Sequence, residues 1–251
     1  MGLSTADHSV TPPRIDVPRD YNAAHDLIER NLAAGRGAKV AYIDDAGELT
    51  YAQLAERVNR CASGLTALGL DMENRVLIAM LDTLDWPVAF LGAIKAGIVP
   101  VAVNTVLTTK DYEFMLSDSR ARALVVSEAL LPAFTPLLGK LPFLKHVIVS
   151  GADAKGHLAF KDVLANGKPQ FAAAPTTRDD PCLWLYSSGS TGVPKGTVHV
   201  HSGPIVTAEL FARPVLGISE KDVVFSAAKL FSPMVLAIRC RFPSRSARRR
   251  S

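Results

Sequence analysis

Apolar positions recur at two different spacings along the chain. Helical spacing is clearest after Thr50, where one face of a predicted helix carries Leu54, Val58, Cys61, Leu65 and Leu68. Thr50 followed three residues later by Gln53 is the pattern of a capping box, and Gly69 is a typical residue just beyond a helix end. We therefore predict an amphipathic helix that begins after Thr50 and ends before Gly69.

Short apolar runs alternate with further helical segments. The predicted strands are Val40–Ile43, Val76–Met80, Ile98–Val103, Ala123–Val126, His146–Ser150, Cys182–Tyr186, Thr197–Val200 and Val223–Ser226. The other predicted helices are Asn22–Ala34, Asp85–Ala96, Thr109–Asp118, Ala129–Leu138, a short one near Leu164 and one around Pro204–Ala212. Because strands that are apolar throughout alternate with helices, we predict an α/β fold with a mainly parallel sheet covered on both faces.

Composition agrees with a globular chain, since 48% of the 251 residues are hydrophobic and 21% are charged. The most membrane-like stretch, Trp86–Val103, contains Lys95 and two prolines, so we predict a buried helix and strand there rather than a membrane span. The N-terminal 20 residues show no apolar core of a secretory signal, and the three cysteines show no CxxC spacing. These features predict a cytoplasmic location.

The formal net charge of +4 is unevenly distributed. Six arginines and no acid lie in the last thirteen residues, and subtracting these six leaves −2 for the rest of the chain. The basic balance therefore belongs to the tail and does not predict a specific nucleic-acid surface. Non-specific association of this tail with RNA or an anionic surface remains one alternative function.

A loop rich in glycine and hydroxyl groups separates two of the predicted strands. Its sequence is Tyr186-Ser-Ser-Gly-Ser-Thr-Gly-Val-Pro-Lys-Gly196. Glycines allow close backbone approach, hydroxyl and backbone N–H groups donate hydrogen bonds, and Lys195 adds positive charge, as a polyphosphate requires. The loop is not a Walker A motif, because Lys195 precedes Gly196 and a β-prone run instead of Ser or Thr and a helix. On composition alone, a hairpin or linker without a ligand is an alternative.

The ordered string resembles the signature phosphate loop of the adenylate-forming (AMP-binding) enzymes, which include acyl- and aryl-CoA ligases, luciferases and peptide-synthetase adenylation domains. Further segments in the family's order and spacing are Leu49–Leu54, Gly97–Thr105 and Asp222–Phe231. Three segments are similar in sequence to benzoate-CoA ligases in particular: Leu183–Gly192, Val198–His201 and Ser226–Phe231. The resemblance covers about Tyr21–Phe231.

The resemblance implies a partial adenylate-forming N-terminal domain with a layered sheet and helices. We expect residues 1–20 to be a flexible lead-in, residues 21–231 a partial AMP-binding domain, and residues 232–251 a disordered basic tail. The implied reaction has two steps: a carboxylate, such as the aromatic acid benzoate, attacks the α-phosphorus of Mg-ATP, and CoA thiolate then displaces AMP from the acyl-adenylate. ATP, Mg²⁺ and CoA are thus the implied cosubstrates and cofactor.

The resemblance also implies which residues hold the β- and γ-phosphates. They are Ser187, Ser188, Gly189, Ser190, Thr191, Gly192 and Lys195. Thr191 is the residue expected near Mg²⁺. Donors fixed in this way would offset the charge that develops on the departing pyrophosphate. No catalytic residue is assigned.

After Phe231 the sequence departs from the family and ends in an Arg/Ser-rich tail. Back-translated with plausible G/C-rich codons and read one nucleotide out of phase, the tail can encode Phe-Ala-Tyr-Gly-Leu-Gly-Asn-Pro, which resembles the continuation of benzoate-CoA ligases. We hypothesise a single-nucleotide deletion near the Ser232 codon. The gene's nucleotide sequence tests this, because codons that cannot encode the in-frame continuation would exclude it.

By this comparison roughly half of a family member is absent, more than ordinary domain trimming removes. The absent parts include the Tyr-Gly-x-Thr-Glu motif, the ribose-binding Asp and the C-terminal domain with its catalytic Lys. We therefore expect no ligase turnover by this chain alone, and exposed strand edges. A non-catalytic remnant with weak nucleotide affinity is the second alternative function.

Two pairs of side chains carry weaker signals. His199 and His201 alternate on a predicted strand and would share one face, where a polar surface is favoured over a metal site because no third ligand is near. By family position, His201 is expected near the substrate site. Trp86 and Trp184 are predicted to be core aromatics.

Overall fold

The computed structural model describes residues 1–187, 194–226 and 244–246. Within these ranges the strands are β1 (Thr5–Asp7), β2 (Arg14–Asp16), β3 (Val40–Asp44), β4 (Gly47–Thr50), β5 (Arg75–Ala79), β6 (Val99–Ala102), β7 (Ala123–Ser127), β8 (His146–Ser150), β9 (Leu158–Ala159), β10 (Pro181–Ser187), β11 (Lys195–Val200), β12 (Val224–Ser226) and β13 (Ser244–Ser246). The helices are α1 (Ala23–Ala33), α2 (Tyr51–Ala67), α3 (Asp85–Lys95), α4 (Thr109–Asp118), α5 (Leu131–Phe134), α6 (Phe160–Asn166) and α7 (Ser202–Thr207). A π-helical segment, Ala208–Ala212, continues α7.

The central sheet places seven described strands in the order β11-β10-β6-β5-β7-β8-β9. All neighbours are parallel except β10 and β11, which form an antiparallel hairpin. Side chains of β5 alternate between the faces, with Val76 and Ile78 in one core and Leu77 and Ala79 in the other. Helices α1, α2, α3 and α6 cover the first face, and α4 and α5 cover the second. This arrangement confirms the predicted mainly parallel sheet covered on both faces.

The helix predicted after Thr50 is present with its caps. The Thr50 hydroxyl accepts a hydrogen bond from the Gln53 backbone N–H at 3.3 Å, and Gln53 Oε1 accepts from the Thr50 N–H at 2.9 Å. Gly69 follows the helix with φ of +79°, a conformation that favours glycine. The capping-box prediction is therefore confirmed.

Two stretches between regular elements differ from the sequence expectation. The helix predicted over Ala129–Leu138 is divided into a 3₁₀ turn, the four-residue α5 and a second 3₁₀ turn. Pro132 and Pro136 lack the N–H groups that a continuous helix needs. The unpredicted β4 pairs with β3 across a turn in which the Asp44 carboxylate accepts from the N–H groups of Ala46 and Gly47.

The N-terminal 20 residues, expected to be a flexible lead-in, contain the antiparallel hairpin β1–β2. Asp26, whose side chain is fully buried, anchors this segment to α1. Its carboxylate accepts from the hydroxyls of Ser4 at 2.6 Å and Tyr21 at 2.7 Å, and it pairs with Arg30 at 2.6 Å. A buried carboxylate with several donors stabilises the position of the chain around it.

A second sheet joins distant parts of the chain in the order β12-β13-β3-β4. Ser244–Ser246, within the tail expected to be disordered, pairs in parallel with both β12 and β3. The remainder of residues 232–251 lies outside the described residues. Among the helices described, none has the length and apolar character needed to cross a membrane.

Candidate phosphate-binding site

The predicted phosphate loop begins and ends at paired residues of the β10–β11 hairpin. Ser187 ends β10, Lys195 begins β11, and the two face each other in the ladder. Both are exposed. The structure therefore brings together the first and last of the predicted site residues. The five between them, Ser188, Gly189, Ser190, Thr191 and Gly192, lie outside the described residues.

The hairpin leaves the sheet at the carboxyl end of a parallel strand, because β10 runs parallel to β6. In open α/β sheets, ligands bind outside the carboxyl ends of the strands. Strand β11 lies at the edge of the sheet, and its side chains Val198 and Val200 are 49% and 37% exposed. The root of the loop is thus open to solvent and accessible to a ligand.

Lys195 carries the positive charge at this root. Within the described ranges, its ammonium group makes no ion pair or hydrogen bond. An exposed ammonium without a carboxylate partner is free to pair with a phosphate oxygen. The Ser187 hydroxyl, across the ladder, adds a donor of the kind that phosphate oxygens accept.

Gly196 is required at its position by the neighbouring indole. A Cβ atom added to Gly196 would lie 1.9 Å from Nε1 of Trp184. The Trp184 ring therefore lies directly against the backbone of β11, one residue beyond Lys195. Trp86 is buried as predicted, with 3% of its surface exposed. Trp184 is only partly buried and packs against the core on the α4 side of the sheet.

Tyr186 connects the loop root to α4. Its hydroxyl donates to Oδ2 of Asp118 at 2.6 Å, its ring stacks on Trp184 with centroids 5.9 Å apart, and Phe114 contacts it edge-on. Burial, followed by the Asp118 carboxylate, raises the pKa of Tyr186 well above its usual range, so its hydroxyl stays protonated and donating. Sequence reasoning missed Asp118 and Phe114.

The two histidines near the loop have different environments, which corrects the expectation of a shared strand face. His199 lies on β11, but that strand ends at Val200, and His201 precedes α7. His201 is 1% exposed, and its Nδ1 accepts from the Ala23 N–H at 3.1 Å. Burial lowers the pKa of His201 to about 4, although Asp180 opposes the shift. His201 thus contacts the start of α1, and the described part of the chain holds no cluster of three or more metal-ligating side chains.

Comparison with known families gives one clear match. The family model described as AMP-binding enzyme matches residues 29–238. That range contains the whole Tyr186–Gly196 string and most of the central sheet.

Curated relatives include aromatic acid ligases. Benzoate–CoA ligase of Thauera aromatica is 64% identical over 230 residues, which are 91% of this chain and 43% of the relative. The 4-hydroxybenzoate–CoA/benzoate–CoA ligase of Rhodopseudomonas palustris is 46% identical over 213 residues, 85% of this chain and 39% of the relative. The chain therefore spans less than half the length of these relatives.

Solved structures show the same architecture. A benzoate CoA ligase from Burkholderia xenovorans superposes with a TM-score of 0.82 at 43% identity, over 92% of this chain and 46% of that one. The anthranilate CoA ligase AuaEII, solved in complex with anthranoyl-AMP, superposes with a TM-score of 0.85 at 36% identity, over 92% and 44% of the two chains.

Proposed function

The chain belongs to the family of AMP-binding enzymes, and on that premise we propose that its β10–β11 hairpin holds the β- and γ-phosphates of MgATP. The observation that carries the proposal is the ladder pairing of Ser187 with Lys195 at an exposed strand end. A hydroxyl, and an ammonium group that makes no ion pair within the described residues, suit phosphate oxygens. Ser188, Gly189, Ser190, Thr191 and Gly192 supply the remaining donors in this proposal.

The proposed activity of the whole protein is that of an aryl-CoA ligase. An aromatic carboxylate such as benzoate attacks the α-phosphorus of ATP and releases pyrophosphate, and CoA thiolate then forms the thioester and releases AMP. The names of the curated relatives support this substrate class. The hairpin's part is to orient the triphosphate and to stabilise negative charge on the departing pyrophosphate. A cytoplasmic location is part of the proposal, supported by Cys61 and Cys182, which are buried and form no disulfide within the described residues.

The described donors at the loop root fit phosphate better than a metal ion. Lys195 cannot ligate a cation, and no carboxylate contacts it within the described ranges. In the proposal, the phosphates and the Thr191 hydroxyl would hold Mg²⁺. When bound, the ion neutralises charge on the phosphate oxygens.

Calorimetric titration with MgATP and with magnesium tripolyphosphate tests the proposal. We expect saturable binding of both, weakened about tenfold or more in the Lys195→Ala/Thr191→Ala variant, because about 1.4 kcal/mol of lost interaction suffices. Lys161→Ala, which removes an exposed lysine on α6, is the matched control and should bind as the unmodified chain does. No binding by the unmodified chain, or equal binding by the double variant, would refute the proposal.

Turnover by the 251 residues alone is a separate question. Because this sequence contains no Tyr-Gly-x-Thr-Glu motif, we expect ATP–pyrophosphate exchange with benzoate to stay at background. Exchange above background would contradict that expectation. The non-catalytic alternative also predicts nucleotide binding without exchange. Nucleotide binding therefore distinguishes the ligase fragment and the non-catalytic remnant from a protein that acts only through its arginine tail. Deleting Arg239–Ser251 and finding salt-sensitive RNA binding unchanged would exclude that last function.

A further inference from the structure

An interaction between a strand and a helix lies directly behind the proposed phosphate loop. Tyr186 is the residue before Ser187, and its hydroxyl donates to the carboxylate of Asp118 at 2.6 Å, the last residue of α4. The same hydroxyl lies 3.5 Å from the Met115 carbonyl oxygen. The contact joins residues 68 positions apart in the chain, so local structure alone does not explain it.

Two aromatic rings hold Tyr186 in the direction of Asp118. Phe114, on the preceding turn of α4, meets the tyrosine ring at an interplanar angle of 72°, and Trp184 stacks on it at 18°. Rings in these two arrangements attract each other beyond simple burial. Tyr186 is therefore fixed by contacts on two sides and by a hydrogen bond at its tip.

The β ladder carries this fixed position to both ends of the loop. Tyr186 is paired with Gly196, and the adjacent pair is Ser187 with Lys195. The Trp184 indole lies against Gly196 from the same face of the sheet, so a side chain there would collide with Nε1. A shift of Tyr186 would thus move the Ser187 hydroxyl and the Lys195 backbone together.

We propose that Asp118 is a positioning residue for the phosphate loop: by accepting the hydrogen bond of Tyr186, it sets where Ser187 and Lys195 meet a triphosphate. This inference rests on the proposed function of the hairpin. Asp118 is exposed and Tyr186 is partly buried. Loss of the hydrogen bond between them therefore leaves the core intact, and we expect it to change ligand affinity more than folding stability.

The test compares MgATP affinity with ligand-free melting temperature in four single variants of the full chain. Tyr186→Phe and Asp118→Ala each remove the hydrogen bond, whereas Asp118→Asn keeps an acceptor oxygen. Tyr21→Phe is the matched control, because it removes a tyrosine–aspartate hydrogen bond of 2.7 Å to Asp26, which lies on α1 and not on α4. A fifth chain combines Tyr186→Phe with Asp118→Ala.

Tyr186→Phe and Asp118→Ala should each weaken MgATP binding by about three- to tenfold, the effect of one net hydrogen bond. The combined variant should be no weaker than either alone, because both changes remove one interaction. Asp118→Asn should bind within about twofold of the unmodified chain. Tyr21→Phe should lower the melting temperature and leave affinity unchanged.

Three results would overturn the inference. Unchanged affinity in Asp118→Ala would show that the contact does not position the loop. Additive losses in the combined variant would show that the two residues act separately. If MgATP affinity falls in proportion to melting temperature in all variants, Tyr21→Phe included, then the contact has a purely structural role. If the unmodified chain itself binds no MgATP, both the proposed function and this inference fail. The three results above, in contrast, overturn only the role of Asp118.

Discussion

Individual residues at the root of the β10–β11 hairpin determine how closely its two strands approach each other. Gly196 accommodates the Trp184 ring, and Lys195 beside it keeps its charge free within the described ranges. Just beyond the end of β11, His201 is buried in its neutral form against the N–H of Ala23. Quantitative predictions follow for Gly196 and His201.

Gly196→Ala should destabilise the chain by about 1 to 3 kcal/mol, because its Cβ overlaps the Trp184 indole and forces the strand or the ring to move. Urea unfolding followed by circular dichroism measures this. Gly203→Ala is the control, since a Cβ there meets nothing within 4 Å, and its midpoint should stay or rise. Equal midpoints for Gly196→Ala and the unmodified chain would show that the ring does not occupy this space.

His201 predicts a loss of stability in acid. Its pKa in the folded chain is about 4, against 6.5 for an unperturbed histidine, because burial disfavours the charged ring. The unfolded chain therefore binds the proton first, and the free energy of unfolding falls by up to about 3 kcal/mol as pH drops from 6.5 to 4. His201→Asn keeps an acceptor for the Ala23 N–H and should not show this loss of stability between pH 6.5 and 4. If the free energy of unfolding depends on pH in the same way in both chains, then His201 is not the source of the loss.

At the scale of elements, the N-terminal hairpin and α1 are held together by one buried carboxylate. Asp26 accepts from Ser4 and Tyr21 and pairs with Arg30, with no exposure to solvent. Removing one partner of a buried ion pair leaves the other charge without compensation. This cluster therefore links the start of β1 to α1.

Asp26→Asn should cost about 3 kcal/mol of stability, because it leaves Arg30 without its counter-ion and points amide hydrogens at existing donors. Asp153→Asn provides the contrast, since that carboxylate is exposed and contacts Lys155 at the surface, and its effect should stay within about 0.5 kcal/mol. Thermal unfolding by calorimetry compares them. Equal melting temperatures would mean that residues 1–20 are not anchored by this cluster.

Sequence patterns predicted the elements whose signals are local. The bounds of Thr109–Asp118 and His146–Ser150 were correct, because caps and apolar runs lie within the segments themselves. The strand Gly47–Thr50 carries only one buried side chain, Leu49, and so lacks a strand pattern. The contacts of Ser4 with Asp26 and of Tyr186 with Asp118 join separate parts of the chain, and no local pattern reveals them.

At the scale of the whole molecule, apolar exposure is concentrated in one part of the chain. Within the described residues, the exposed large hydrophobic side chains between residues 198 and 225 are Val198, Val200, Leu210, Val215, Leu216, Val223 and Phe225. Two of them lie on β11, the edge strand of the central sheet. An edge strand with apolar side chains is a template for association with another chain.

Replacing Val198 and Val200 together by lysine should reduce concentration-dependent self-association and leave the melting temperature nearly unchanged, since both side chains are exposed. Size-exclusion chromatography with light scattering measures the mass across a range of protein concentrations. Val106→Lys, at a position 80% exposed in the turn between β6 and α4, should have no such effect. Self-association that persists in the double variant would place the contact elsewhere.

The proposed function requires that the Tyr186–Gly196 hairpin binds the outer phosphates of a nucleoside triphosphate. Phosphorus NMR of MgATP tests this most directly, because the three phosphates give separate signals. On addition of the chain we predict that the β and γ signals shift or broaden more than the α signal, and that Lys195→Ala/Thr191→Ala removes the difference. Equal changes at all three phosphates, or selective changes that survive in the double variant, would contradict the account.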